Sequence, residues 1–188
     1  MIQLKKIDKS YGQVQVLHNF SMHIKMGEQY YISGDSGCGK TTLLRIIMGL
    51  EQVDAGEVNR ERQNKFAVVF QEDRLIEELD VWTNLSISSK RSPIEIQSYL
   101  NVFGLEGFER ASVDTLSGGM KRRVAILRAL LSDFDILLLD EPFKGLDDER
   151  KSVIIEEMKR CLKGKTVLLV THSREEASLL GITNEIVL

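Results

Sequence analysis

The chain has 188 residues, 25 Lys and Arg against 28 Asp and Glu, a net charge of -3 and 43% hydrophobic residues. That length suits one domain, which buries roughly two-thirds of its unfolded surface and needs no disulfide staples. The balance, with a pI of about 5.7, lacks the basic excess (pI above about 9) of a duplex-binding protein, so nucleic acid is not an expected partner.

The two cysteines, Cys38 and Cys161, are isolated, which points to a reducing compartment and away from a structural zinc site. The start, Met1 to Lys9, is charged and has no apolar signal region. Nowhere does an apolar run approach the ~18 residues of a membrane span. Work at a membrane therefore requires another chain to supply the span.

In chain order, Ile2 to Ile7, Val16 to Ile24 and Gln29 to Ser33 read as strands. A glycine-rich loop follows, then a helix from Lys40 to about Leu50 that buries Leu43, Leu44, Ile46 and Ile47. Phe66 to Phe70 is a short apolar strand. Residues 72–111 are more polar and read mostly as helix, with Pro93 at a break or a helix start. This stretch is expected to be a small inserted helical lobe, leaving 1–71 and 112–188 as the core of a single domain, 1–188.

Helix signals resume at Lys121 to Leu131. Ile136 to Leu139 suits a strand covered on both faces. Asp147 to Leu162 is a helix with acids at its start and bases near its end, complementing its dipole. A strand at Thr166 to Thr171 leads to a last helix and a short terminal strand. The alternation predicts an α/β core with a mostly parallel sheet.

Gly34-Asp35-Ser36-Gly37-Cys38-Gly39-Lys40-Thr41 fits the phosphate-loop pattern G-x-x-x-x-G-K-S/T. Glycines let successive N–H groups turn toward phosphate oxygens, and the following helix adds its positive end. Lys40 is expected to reach the β- and γ-phosphates and the Thr41 hydroxyl to bind Mg²⁺. Cys38 reads as a small residue that fits the loop, and its position predicts that alkylation blocks nucleotide binding. Asp140 and Glu141 end the apolar strand, where ligands sit in open α/β sheets. Asp140 can hold Mg²⁺, and Glu141 is placed to take a proton from water or orient it.

Leu116-Ser117-Gly118-Gly119-Met120, ahead of a helix, makes a second anion-binding nest. One nucleotide does not need two nests from one chain. A second makes sense if it closes over the ATP held by another copy.

With these motifs in this order, the sequence resembles an ABC-transporter nucleotide-binding domain over nearly its whole length. The resemblance implies a P-loop NTPase core, a mixed β-sheet flanked by helices, with an inserted α-helical subdomain. It implies that Tyr11 stacks on adenine, that Gly34 to Thr42 form Walker A, and that Gln71 belongs to the Q-loop. Leu116 to Gly119 match the signature, Ile136 to Glu141 Walker B, Gly145-Leu146-Asp147 the D-loop, and His172 the switch histidine.

The implied site has Glu141, His172, Lys40 and Gln71 as catalytic residues, and Thr41, Gln71 and Asp140 around Mg²⁺. ATP is held by Tyr11, Gly34, Asp35, Ser36, Gly37, Cys38, Gly39, Lys40, Thr41 and Thr42, with Ser117, Gly118, Gly119 and Asp147 closing it. The implied partners are a second nucleotide-binding subunit, head to tail, and integral membrane permease subunits. The implied location is the cytoplasmic face of the cell membrane.

Met120 stands where the signature usually carries Gln, and Met neither donates nor accepts well. Met120 with Lys121, Arg122 and Arg123, Val69 to Leu75, and Glu141-Pro142-Phe143-Lys144 resemble the nitrate, sulfonate and taurine importer group. Gly145 stands where many members have Ala, a mild change. The chain is also shorter than typical importer cassettes, so no C-terminal regulatory domain is expected. The alternative is a non-transport cytosolic ABC ATPase, such as a cofactor- or cluster-assembly subunit.

Overall fold

The computed structural model describes residues 1–61 and 63–188. Two sheets carry the fold. β1 (Ile2–Tyr11) pairs antiparallel with β2 (Val14–Ile24) on one side and β4 (Ala55–Arg60) on the other. β3 (Gln29–Ser33), β5 (Phe66–Val69), β6 (Ile136–Asp140), β7 (Thr166–Val170) and β8 (Asn184–Val187) form a five-stranded parallel sheet in the order β5-β6-β7-β3-β8. The mixed character expected from the sequence is thus divided between an antiparallel and a parallel layer.

β6 and β7 are buried along their whole length, and their alternation sorts side chains to two cores. Ile136, Leu138, Leu168 and Val170 face the first core, with β1 and helix α1 (Lys40–Met48). Leu137, Leu139, Val167 and Leu169 face the second, with helices α4 (Gly118–Leu131) and α5 (Asp148–Cys161). That second core runs on without a break into α2 (Val81–Ser86) and α3 (Pro93–Val102) through Val81, Leu85, Ile96, Leu100 and Phe103. The last helix is α6 (Arg174–Leu179).

Several boundaries differ from expectation for local reasons. α1 stops at Met48 because Gly49 takes φ 78° and turns its N–H back to the Arg45 and Ile46 carbonyls. α4 starts at Gly118 rather than Lys121, since Ser117 caps it by accepting the Met120 N–H. The segment 72–111 is not mostly helix. It holds two short helices of 6 and 10 residues joined by loops. The buried Asn84 organises its first loop, accepting from the Ile76 N–H at 2.9 Å and donating to the Ile76 and Asp80 carbonyls. Pro93 marks a helix start, behind a capping box made by Ser92 and Glu95.

Strand β4 has no counterpart in the sequence reading. Five of its six residues are exposed, so it shows no alternation, and backbone pairing to β1 alone defines it.

Candidate active site

The loop between β3 and α1 wraps Lys40, whose ammonium donates to the Gly34 and Asp35 carbonyls, both at 2.8 Å. An ammonium has three donors, and the third reaches only the Cys38 sulfur at 3.8 Å, a weak acceptor that a ligand oxygen in the cleft would displace. Gly39 precedes the helix at φ 103° with its α-carbon against β2: a Cβ there would lie 2.8 Å from the Val16 carbonyl oxygen. Only glycine lets the loop approach β2 this closely. The cleft measures about 280 Å³ and is bounded by Ser36, Gly37 and the first turn of α1 on one side and by the β6 and β7 ends on the other.

The strand ends bring the acids in. Thr41 Oγ1 donates to Asp140 Oδ2 at 2.7 Å, joining the start of α1 to the end of β6. Burial pushes the Asp140 carboxyl above its usual range, and the neighbouring Glu141 charge adds to this. A hydroxyl beside one buried carboxylate is a hard oxygen pair suited to Mg²⁺, which takes few protein ligands and completes its shell with phosphate and water. A cation there would also favour the charged form of Asp140. The pair fits the ion, and Gln71 lines the same cleft.

Glu141 takes φ 47°, a left-handed conformation that costs a non-glycine residue about 1–2 kcal/mol. It is held in place by its own N–H, which donates to the Val170 carbonyl at 2.9 Å. This bend turns the carboxylate toward His172, whose Nε2 lies 2.9 Å from Glu141 Oε1. His172 follows β7, in a turn where Thr171 Oγ1 donates to Glu176 at 2.7 Å and accepts from the Ser173 N–H. Tyr11 stands at the mouth, 45% exposed. Lys9 lies 5.1 Å from its ring centroid, anchored by Glu51 at 2.8 Å.

The cleft thus gathers Tyr11, Ser36, Gly37, Gly39, Lys40, Thr41, Thr42, Gln71, Asp140, Glu141 and His172. Gly34 and Asp35 contribute carbonyls to Lys40 from behind, and Cys38 Sγ lies 3.8 Å from the same ammonium. Ser117, Gly118, Gly119 and Asp147 do not line it. Ser117 and Gly118 are exposed at the start of α4, and Asp147 caps α5 by accepting the Arg150 N–H at 2.9 Å. Sequence reasoning missed Val16 and Val170 as walls, Lys9 beneath the tyrosine, and Arg122, discussed below. Two further readings change. Met120 packs against the second core, so the position serves an apolar contact. Gly145 takes φ 81°, where alanine would be strained, so it is not a mild exchange in this backbone.

The profile of the ABC transporter family matches residues 17–144. The chain belongs to that family. It is 39% identical to the spermidine/putrescine import ATP-binding protein PotA of Clostridioides difficile (strain 630), over 97% of this chain and 58% of that protein. It is 36% identical to the Nod factor export ATP-binding protein I of Burkholderia orbicola (strain AU 1054), over 95% of this chain and 65% of that protein. Among solved structures, the dimeric MJ0796 cassette, a bacterial ABC transporter cassette, superimposes with a TM-score of 0.86 at 32% identity, covering 100% of this chain and 94% of that one. A second structure of that cassette is a dimeric post-hydrolysis state bound to ADP and Pi, with the same TM-score of 0.86. The ABC cassette described here therefore spans about 58% of the PotA relative's length.

Cys38 offers a local test of the cassette's loop. A Cβ on Gly34 would sit 2.7 Å from Cys38 Sγ, so there is no room for added bulk on that side. N-ethylmaleimide on Cys38 is expected to abolish nucleotide binding, and ATP is expected to protect Cys38 while leaving the labelling of Cys161 unchanged. Peptide mass spectrometry with a nucleotide-binding assay reads both. Full binding after complete Cys38 labelling would refute this placement.

Proposed function

We propose that this chain binds ATP with Mg²⁺ and hydrolyses it between two copies packed head to tail, driving transport through a separate membrane permease subunit. The observation that carries the reading is the convergence of three otherwise separate motifs on one cleft. These are Lys40 in the loop, Thr41 bonded to Asp140 at 2.7 Å, and Glu141 beside His172 at 2.9 Å.

In this reading Tyr11 stacks on adenine while the loop amides and Lys40 hold the phosphates. Glu141 takes the proton of the attacking water, and His172 keeps that carboxylate in position and faces the γ-phosphate. Thr41 and Asp140, with Gln71, would hold Mg²⁺, which would supply neutralisation of phosphate charge. Positioning and charge stabilisation carry the catalysis. Ser117, Gly118 and Gly119 close on the γ-phosphate of the opposite copy, with Asp147 at the same interface. Residues 72–111 form the lobe that transmits closure to the permease, and 1–71 with 112–188 form the ATP-binding core. The complex sits on the cytoplasmic face of the membrane; among the described residues no helix is long and apolar enough to cross one.

The dimeric MJ0796 structures and the transport names of the relatives support the dimer and the permease. Those names do not favour a cluster-assembly role. The finer placing with nitrate, sulfonate and taurine importers rests on Met120, the basic run after it, and the two segments near Gln71 and Glu141. The relatives above are instead named for spermidine/putrescine import and Nod factor export. Purified protein is expected to release phosphate from ATP only with Mg²⁺, and a tagged chain to carry a polytopic membrane protein through detergent purification. Phosphate release that is absent, or that persists in EDTA, would overturn the ATPase; a chain recovered without a membrane partner would overturn the transport reading.

A further inference from the structure

Arg122 lies on α4, 4% exposed, and its guanidinium is divided between two loops. Nη1 donates to the Phe70 carbonyl at 2.6 Å and to Asp73 Oδ1 at 3.0 Å. Nη2 donates to the Glu141 carbonyl at 2.7 Å and, more weakly, to the Asp140 carbonyl at 3.4 Å. One terminal nitrogen thus serves the segment that carries Gln71, and the other serves the segment that carries Glu141. Because the guanidinium is planar and rigid, this fixes the spacing between the two loops.

A buried cation of this kind persists only when its donors are satisfied, and among the described residues Asp73 is its one ion-pair partner. The other acceptors are backbone carbonyls. The Glu141 backbone, at φ 47°, is gripped at its N–H by Val170 and at its carbonyl by Arg122, with the side chain on His172. Removing the Arg122 contact leaves the Glu141 carbonyl to the Lys144 N–H alone, at 3.3 Å. Displacement of the 70–73 segment is felt at Glu141 through one side chain.

We propose that Arg122 is a positioning residue that couples the Gln71 segment to Glu141, so that lobe movement sets the alignment of the catalytic carboxylate. This rests on the ATPase reading above and adds a route by which that activity is controlled.

The test uses Arg122→Lys, which keeps the charge but offers a single nitrogen, and Asp73→Asn, at a residue outside the cleft lining and bonded to Arg122. Both are expected to lower kcat, roughly tenfold or more for Arg122→Lys, with KM and Kd for ATP unchanged. Hydrogen exchange of the nucleotide-free chain reads the coupling without activity. The Glu141 amide is bonded to Val170 and the Lys144 amide to Glu141. In both variants these amides are expected to exchange on the order of tenfold faster. In the double variant Asp73→Asn adds nothing to Arg122→Lys.

The proposal is overturned if Asp73→Asn leaves Glu141 and Lys144 exchange unchanged. It is equally overturned if Arg122→Lys loses ATP affinity and thermal stability in step with kcat, as a purely structural residue would. A wild-type chain without ATPase activity would overturn the proposed function instead, and the exchange measurements would still decide the coupling.

Discussion

A Glu141→Gln chain is expected to bind ATP normally, accumulate as an ATP-dependent dimer, and release phosphate roughly 10²–10⁴-fold more slowly than the wild type. The substitution keeps the shape of the side chain and a hydrogen-bonding partner for His172 Nε2, now 2.9 Å from the carboxylate. The backbone at φ 47° is no more strained with Gln than with Glu, and its bond to Val170 is untouched. What disappears is the negative charge and with it the proton acceptor. Asp140 does not suffer: burial and then the Glu141 charge push its carboxyl up, and Gln removes the second contribution. The Asp140 contact with Thr41 therefore survives. Single-turnover phosphate release and size-exclusion chromatography with ATP separate the two effects. Turnover near the wild-type rate would remove Glu141 as the base.

The parts of this site that were legible in the sequence are those whose function needs particular residues at fixed local spacing. The phosphate loop demands glycines at set intervals before a lysine, and β6 demands apolar residues on both faces before its acids. Both patterns are local, and both loops lie where they were expected. What escaped is held by contacts across the chain. β4 is exposed at five of its six residues, so its pairing with β1 left no periodicity to read. The loops around α2 are ordered by one asparagine bonded to backbone, which no spacing rule announces. Arg122 looked like one cation in a basic run. Its acceptors are mostly carbonyls brought together by tertiary packing, and a carbonyl has no sequence signature. Lys9 beneath Tyr11 is likewise placed by tertiary packing, here through its ion pairs to Glu51 and Asp54.

The arrangement of two copies is the remaining question, and mixing two inactive chains is expected to answer it. Lys40→Ala deletes the ammonium that lines the cleft, while Ser117→Arg places a long cation at the exposed start of α4 and removes its cap. Loss of that cap costs about 1 kcal/mol, so the chain still folds. Nothing acidic occupies the first turn of α4, so its amides remain available to an anion, yet they do not face the chain's own cleft. If each cleft is completed by the other copy, a dimer of the two variants contains one site with neither change and one with both. Each variant alone is expected to fall to background, and an equal mixture to recover about a quarter of wild-type activity when half the dimers are mixed and each carries one intact site. Steady-state phosphate release against mixing ratio gives a maximum at equal amounts. A mixture no more active than its components would show that cleft and signature act within one chain.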